Sequence, residues 1–333
     1  MKKFNILFTS AGRRVALVKA FRSAMQQLSL EGKIVTADCK LSAQAHFAAD
    51  AMEIVPRVDH PDYLNELLNI CSKYKINLVV PLIDPELQIL SDSETRFRQA
   101  GITLLSSSSE TNSLCIDKVK THQFFSKIGI KTPEILNIVD VLNNSDDSVY
   151  PLFLKPRFGS GSVGAVKIEN KEQLEFHSKM VTNPILQEYI SGDEYSIDIL
   201  TDKSGKVISV VPRLRLEVRS GEICKGVTVK DARLISGAKF VAESLPGTFG
   251  CLTVQCFVTS ENEIVYTEIN PRFGGGIPLT IQAGANFPLW IIQMVQDKNP
   301  ETQLDSWEDG LVMLRYDDAI FTKRQIIMGN VPK

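Results

Sequence analysis

The sequence predicts a parallel α/β unit followed by a larger α+β part, and three observations support this prediction. In the first third, short apolar runs at 4–8, 33–37 and 77–82 alternate with helical patterns such as 13–28. Strand–helix alternation is typical of a parallel sheet covered by helices. From about residue 150 onward, β-rich runs follow one another through short turns, which is typical of antiparallel sheets. The fold class is therefore α/β and α+β.

Three loops of the first unit follow predicted strands and are candidate ligand positions. They contain Ser10 with Gly12, Asp38, and Asp84 with Glu86. Ligands of open α/β sheets usually lie beyond the carboxyl ends of the strands. Ordinary turns and helix caps explain each of these residues equally well when it is taken singly.

The remaining elements are predicted from periodicity and from turn residues. A helix at 113–128 ends at Gly129, and a polar linker follows at 143–148. The later elements are β-rich runs around a glycine loop between 150 and 168, a β-rich tract at 185–229 with a turn at 202–205, a helix at 237–244, strands at 251–258 and 263–270, and a strand-like segment at 311–316. We therefore predict units at 1–110, 111–185 and 186–300, and an extension at 301–333 that packs on the body.

Composition excludes several classes of protein. The 333 residues carry a formal net charge of −2, and there is no basic run with interleaved aromatic residues, so a nucleic-acid partner is not expected. The longest apolar stretches, such as 76–82, fall far short of the roughly 18 residues of a membrane helix. The N-terminus reads as a strand and a turn and not as a signal peptide. The six cysteines include no CxxC pair, so neither a zinc site nor a disulfide framework is predicted. These features favour a cytoplasmic protein without a membrane partner.

A glycine-rich loop, Gly159 to Gly164, contains a formal GxGxxG pattern. A dinucleotide-binding fingerprint must open a helix, whereas residues 165–169 continue as a β-type alternation. The pattern therefore predicts a hairpin loop whose backbone N–H groups could cover phosphate oxygens. Lys155 ends the apolar run before this loop, and its buried ammonium would need an anion such as a triphosphate. Taken alone, the loop could equally be an ordinary mobile turn. Taken alone, Lys155 could equally be a lysine whose ammonium reaches water.

The most informative local pattern is the segment from Tyr266 to Gly276. On a strand, Glu268, Asn270 and Arg272 point to one face. A carboxylate, an amide and a guanidinium have no apolar benefit in a core, but they suit a magnesium ion beside a phosphoryl group. Gln255, a polar residue in the neighbouring apolar run, could supply another oxygen, although a solvated strand face explains it too.

Two further segments carry weaker predictions. Residues 184–200 read as a strand, a turn and a second strand, whose hinge backbone could contact an adenine edge. Arg213, Arg215 and Arg219 alternate with apolar residues, so their strand has one basic face. This face could bind a substrate carboxylate, which arginine does well, or it could simply be solvated.

In their order and spacing, these residues resemble the ATP-grasp superfamily, and in particular its carbamoyl phosphate synthase-like branch. The resemblance spans roughly residues 111–295, together with the Rossmann-like unit that usually precedes an ATP-grasp fold of two α+β subdomains. It implies ATP and Mg²⁺, with Mn²⁺ as the alternative ion. The residues that it assigns to ATP are Lys118, Lys155, Gly159, Ser160, Gly161, Ser162, Val163, Gln187, Glu188, Tyr189, Ile190 and Glu194.

Within that set the resemblance implies separate roles. The two lysines contact phosphates, residues 187–190 line adenine, and Glu194 holds ribose. Glu268, Asn270 and Gln255 bind the metal. Arg272 stabilises the transferred group, and Lys155 shares the catalytic role. Arg213 and Arg215, with Arg272, are the substrate-binding candidates.

The implied activity is a carbon–nitrogen ligase. ATP phosphorylates a small carboxylate, and an amine or another nucleophile displaces phosphate from the acyl phosphate. Two alternatives remain: a carbamoyl phosphate synthase-like enzyme that phosphorylates bicarbonate or carbamate, and an ATP-binding regulator without turnover. The chain has room for one ATP-grasp unit, and residues 224–228 depart from the His-Thr-Gly-Asp-Ser motif, so a stand-alone ligase is preferred. A homodimer is a further expectation.

Overall fold

The computed structural model describes residues 3–144, 146–219 and 221–328. Its first unit is a five-stranded parallel sheet in the order β3-β2-β1-β4-β5. The strands are β1 (Ile6–Thr9), β2 (Ile34–Asp38), β3 (Ala51–Ile54), β4 (Leu78–Pro81) and β5 (Thr103–Leu104). The helices are α1 (Val15–Gln27), α2 (Tyr63–Tyr74), α3 (Asp84–Asp92) and α4 (Glu94–Gln99). Because β1 and β4 are buried throughout, they read as continuous apolar runs, as parallel strands do. The predicted α/β unit is confirmed.

A buried carboxylate connects the carboxyl ends of two strands of this sheet. Glu86 is fully buried and accepts hydrogen bonds from the backbone N–H of Leu82 at 2.7 Å and of Ile83 at 3.1 Å. The hydroxyls of Tyr63 and Ser10 also donate to it, at 2.5 and 2.9 Å. These bonds tie the carboxyl ends of β1 and β4 together and hold the first turn of α3 in place.

The second sheet is four-stranded and antiparallel, in the order β6-β9-β7-β8. Its strands are β6 (Ile135–Leu136), β7 (Leu152–Pro156), β8 (Val166–Ile168) and β9 (Pro184–Glu188). The helices of this part of the chain are α5 (Ser109–Ile116), α6 (Lys118–Lys127), α7 (Ile138–Asn143) and α8 (Lys171–Met180), of which α7 and α8 pack with this sheet. The strands β7 and β8 form the predicted hairpin around the glycine loop, and no helix opens there.

The predicted single helix at 113–128 is instead two helices. Asp117 lies between them in an extended conformation, and its side chain accepts hydrogen bonds from the N–H groups of Val119 and Lys120. An aspartate in this position caps the second helix, which ends the first helix one residue earlier. The prediction of one continuous helix was wrong because the periodicity of the segment gives no sign of a cap at Asp117.

The third sheet has six antiparallel strands in the order β14-β13-β10-β11-β12-β15. They are β10 (Asp193–Thr201), β11 (Val207–Arg219), β12 (Glu222–Thr228), β13 (Gly250–Val258), β14 (Ile264–Asn270) and β15 (Val312–Leu314). The helices are α9 (Ala232–Ser244), α10 (Ile277–Gln282), α11 (Phe287–Val295) and α12 (Arg324–Met328). The predicted α+β part is confirmed, although α9 begins five residues before the predicted start because Asp231 caps it.

Apolar packing joins the first and third sheets. One core cluster contains Phe8 and Phe21 of the first unit together with Phe273 and Phe287 from beyond β14. The ring centroids of Phe21 and Phe273 lie 6.0 Å apart in an edge-on arrangement. Trp307 is 1% exposed, and its indole N–H donates to the carbonyl of Val210 at 2.9 Å, so the chain packs on the third sheet at this residue. Residues 314–326 are exposed, and residues 329–333 of the predicted extension lie outside the described residues. Within the described part of the chain, no helix is long and apolar enough to span a membrane.

Candidate active site

The glycine loop of the β7–β8 hairpin forms the roof of a cleft between the second and third sheets. Its backbone has positive φ at Gly159 (108°), Gly161 (69°), Ser162 (58°) and Gly164 (74°). This left-handed region costs glycine little, which is why the loop is rich in that residue. The tip lies against Gly221 in the β11–β12 turn, where an added Cβ would stand 2.8 Å from the carbonyl oxygen of Gly161.

Two lysines lie under this roof. Lys155 is the penultimate residue of β7 and is 8% exposed, and burial lowers its pKa to about 8 although Glu268 acts in the opposite direction. Burial likewise lowers the pKa of Lys118, and its Nζ donates to the carbonyl of Gly159 at 2.7 Å. A buried ammonium is costly without an anion. The two lysines therefore favour binding of a negatively charged ligand in the cleft.

An ion pair that the sequence analysis missed sets the position of Lys118. The guanidinium of Arg157 donates from Nε and Nη2 to the carboxylate of Asp117, at 2.8 and 2.6 Å. Since Asp117 also caps α6, the pair ties the first residue of that helix to the base of the glycine loop. A bidentate arginine–carboxylate pair fixes geometry as well as charge.

The predicted nucleotide residues line one cavity. Its apolar walls include Pro133, Phe153 and Phe257, and the glycine loop covers it. The predicted residues that line it are Lys118, Lys155, Gly159, Ser160, Gly161, Ser162, Val163, Gln187, Glu188, Tyr189, Ile190, Glu194, Gln255 and Glu268. Gln187 is buried, and its amide donates to the carbonyl of Pro133 at 3.3 Å, so its side chain ties β9 to the segment before β6. The turn between β9 and β10 is the predicted hinge.

Strands β13 and β14 bring three oxygen-bearing side chains together. Gln255 and Glu268 are cross-strand partners, and Asn270 is two residues further on β14. Glu268 is half-buried and, within residues 3–144, 146–219 and 221–328, no basic side chain lies within 4 Å of its carboxylate. Its negative charge nevertheless acts to raise the pKa of both Lys118 and Lys155. The alternation predicted for this strand therefore places the carboxylate beside the two lysines.

Arg272 lies just past the end of β14 and contacts the first unit. Its Nη2 donates to Asp84 at 2.8 Å and to the Oδ1 of Asn270 at 3.0 Å. Burial acts to lower the pKa of Arg272, but the carboxylates of Asp84 and Glu268 act against burial and the pKa is raised. Asp84 is the first residue of α3, which Glu86 holds in place. This contact joins positions 188 residues apart, and it brings a predicted ligand loop of the first unit to the site.

A second cavity of about 230 Å³ lies on the far side of Glu268. It shares Ser160, Gly161, Ser162, Glu194, Gln255 and Glu268 with the first cavity. Four arginines line it: Arg14, Arg213, Arg215 and Arg272. The shared residues make the glycine loop and Glu268 a common border between the two cavities.

The basic face predicted on β11 is neutralised by carboxylates of β10. Ser196 stands opposite Arg213, so Glu194 and Asp198 are the diagonal neighbours across the strand pair. Arg213 donates from Nε and Nη2 to Asp198, both at 2.8 Å, and Arg215 pairs with Glu194. Burial raises the pKa of Glu194, while Arg215 acts to lower it. Arg219 is largely exposed and pairs with Glu217 at 3.1 Å.

Two matching family models cover most of the chain. Residues 6–105 match the model described as PylC-like, N-terminal domain, and residues 115–276 match the model described as ATP-grasp domain. The chain therefore contains an ATP-grasp domain preceded by a PylC-like N-terminal domain, and the resemblance to the ATP-grasp superfamily is confirmed.

Similarity to individual proteins is distant. The chain is 27% identical over 172 residues to a D-alanine–D-alanine ligase of Fusobacterium nucleatum, which covers 49% of this chain and 58% of that protein. It is 21% identical over 270 residues to the carbamoyl phosphate synthase arginine-specific large chain of Bacillus subtilis, covering 77% of this chain and 25% of that one. The chain therefore spans less than two thirds of either relative.

A solved structure shares the fold. It is the biotin carboxylase domain of the Hydrogenobacter thermophilus 2-oxoglutarate carboxylase, in complex with MgADP, ADP and bicarbonate. It superimposes with a TM-score of 0.74 at 16% sequence identity and covers 94% of this chain and 74% of that one. At this identity the likeness confirms the fold, while activity has to be argued from the site.

Proposed function

We propose that this protein is an ATP- and magnesium-dependent carboxylate–amine ligase that works through an acyl phosphate and releases ADP and phosphate. The observation that carries the proposal is the shared border of the two cavities. On one side lie the glycine loop, Lys118 and Lys155, and on the other lies the arginine-lined cavity. Glu268 and the tip of the loop belong to both, so a γ-phosphoryl group at the border would face a substrate carboxylate.

The chemistry requires charge neutralisation and positioning more than a dedicated base. A carboxylate oxygen attacks the γ-phosphorus, the bond to ADP breaks, and an acyl phosphate forms. The amine nitrogen then attacks the acyl carbon, phosphate leaves as the carbon–nitrogen bond forms, and the amine proton passes to solvent. Lys155 and Lys118 hold the phosphates, and Arg272 faces the charge that develops on the transferred group. The Asp84 contact holds Arg272 in that position.

The donor set fits Mg²⁺. In the described part of the chain, no group of three or more His, Cys, Asp and Glu side chains is arranged to hold a metal ion. Mg²⁺ differs from zinc in this respect, because it is usually held by one or two carboxylates together with substrate phosphates and water. Glu268, Asn270 and Gln255 offer one carboxylate and two amide oxygens at the border of the cavities. When bound there with ATP, the ion would neutralise charge on the phosphates.

Turnover with defined substrates tests the proposal. ADP and phosphate release from MgATP would be measured across amino acids, other small carboxylic acids and bicarbonate, each with and without an amine. Release that needs both a carboxylate and an amine supports the ligase. Release with bicarbonate alone would replace it with carbamoyl phosphate synthase-like chemistry, and tight ATP binding without release for any pair would favour the regulator.

A further inference from the structure

The arginine-lined cavity contains a buried guanidinium nitrogen without a partner. The Arg213 side chain is 1% exposed, and its Nε and Nη2 are used by Asp198. Its Nη1 is also buried, and it has no hydrogen-bond partner among the residues that the structure describes. A buried donor that stays unpaired destabilises the protein, and more so when it is charged. A ligand oxygen in the cavity would satisfy it.

Two glycines let the backbone after β14 pass close to Arg213 and Arg14. A Cβ on Gly276 would lie 2.0 Å from Nη1 of Arg213. A Cβ on Gly275 would lie 3.3 Å from Nη1 of Arg14 and 3.4 Å from the carboxyl carbon of Glu222. The backbone after β14 therefore runs beside two guanidinium groups that come from different units of the protein, and any side chain at these positions would enter the space between them.

Arg14 comes from the turn that precedes α1. Within the described ranges no carboxylate lies within 4 Å of it, and burial together with the nearby Arg272 lowers its pKa although Glu222 acts to raise it. An incompletely compensated cation in a desolvated position favours an added anion. The adjacent Arg13 differs, because its side chain is 71% exposed and pairs with Glu222 at 3.4 Å.

We propose that Arg14 and Nη1 of Arg213 bind a substrate carboxylate that is not the one activated by ATP. The inference rests on the proposed ligase function and adds the class of substrate: one of the two reactants carries an unreacted carboxylate. A monoanion fits better than a phosphate dianion, because Asp84, Glu194, Glu222 and Glu268 also line the cavity.

The first test needs no turnover. The full chain would be treated with phenylglyoxal, and modification of Arg14 and Arg13 would be followed separately by mass spectrometry. Succinate at ten times its Kd should slow modification of Arg14 by about tenfold, as mass action requires. Succinamide, which has the same shape but no charge, should protect neither arginine, and Arg13 should react equally fast throughout. Equal protection by succinate and succinamide, none by succinate, or stronger protection by inorganic phosphate would overturn the inference.

The second test identifies which reactant carries the carboxylate. With a productive pair from the turnover panel, the free carboxylate of the amine, or the second carboxylate of the acid, would be replaced by a carboxamide. The reactant whose carboxamide has a kcat/KM lower by about 10- to 150-fold carries the group, which is the range expected for a charge-assisted hydrogen bond of about 1.5–3 kcal/mol.

Arg14→Met should remove this discrimination, and the matched variant Arg13→Met should keep it. Undiminished kcat/KM with both carboxamides would refute the inference. Because the protection assay uses the wild-type chain without turnover, it can fail while the ligase activity stands, and it can succeed while the ligase proposal fails.

Discussion

Arg213→Met should destabilise the protein because it leaves a carboxylate buried in the third sheet. Asp198 is 0% exposed and receives two charge-assisted hydrogen bonds from Arg213. After the substitution, the remaining side-chain donors to it among the described residues would be the hydroxyls of Thr280, at 2.6 Å, and Thr253, at 3.1 Å. Breaking a buried pair by removing one partner typically costs about 3–5 kcal/mol. We expect a loss of that size in the free energy of unfolding.

The expected change in melting temperature follows from chain length. An unfolding entropy of about 2.1 cal/mol/K per residue gives about 0.7 kcal/mol/K for 333 residues. A loss of 3–5 kcal/mol then corresponds to about 4–7 °C. A urea titration followed by circular dichroism would measure the loss in the free energy of unfolding at 25 °C.

Two controls make the result interpretable. Arg219→Met removes the same charge from an exposed position of the same strand, and it should change the free energy of unfolding by less than about 0.5 kcal/mol. The double variant Arg213→Met/Asp198→Leu removes both charges and should recover at least half of the loss. If the free energy of unfolding of Arg213→Met lies within about 1 kcal/mol of the wild-type value, the buried pairing of Arg213 with Asp198 is contradicted.

Three further predictions concern turnover and ligand binding. Arg272→Ala should lower kcat by about a hundred- to thousandfold, because a preorganised contact to developing charge is lost, as steady-state ADP release would measure. ATP affinity should fall above pH 8 by up to about tenfold per pH unit. Without ATP, Lys155 loses its proton above its pKa of about 8, so the protein must take up a proton to bind phosphate there. Calorimetry would measure the affinity at each pH, and Lys155→Met should abolish its pH dependence. Glu268→Gln should raise the Mg²⁺ concentration for half-maximal turnover by at least about tenfold, since a ligand carboxylate is replaced by an amide.

Each of these predictions has an outcome that would contradict it. Near-normal turnover of Arg272→Ala would remove that residue from the chemistry. An ATP affinity that stays flat between pH 7 and 9.5 would mean that Lys155 does not contact the phosphates in its charged form. An unchanged magnesium requirement in Glu268→Gln would place the ion elsewhere.

The pattern of single strands was sufficient to predict much of the site. Alternation along β14 placed Glu268 and Asn270 on one face, and the β-type residues after the glycine loop excluded a dinucleotide fingerprint in favour of a hairpin. Both features depend on residues close together in sequence. Side-chain direction along a strand and the residues that continue a loop are local properties, so the sequence can carry them.

Contacts between distant segments could not be predicted in this way. The β10–β11 register decides that Arg213 and Arg215 face Asp198 and Glu194, and a shift of one residue would have left them facing other groups. The Arg272–Asp84 contact depends on how the first sheet packs on the third. Arg14 was missed, although a basic pair directly after the turn that follows β1 was a usable signal, because ligands gather at the carboxyl ends of parallel strands.

The most direct test of the central claim is the fate of a carboxylate oxygen. A substrate acid labelled with ¹⁸O in its carboxylate would be turned over with MgATP and the amine, and the released phosphate would be analysed by mass spectrometry. An acyl phosphate transfers one carboxylate oxygen to phosphate when the amine displaces it, so we predict one ¹⁸O atom in each phosphate released. Release of unlabelled phosphate during formation of the labelled product would show that ATP does not activate the carboxylate through an acyl phosphate.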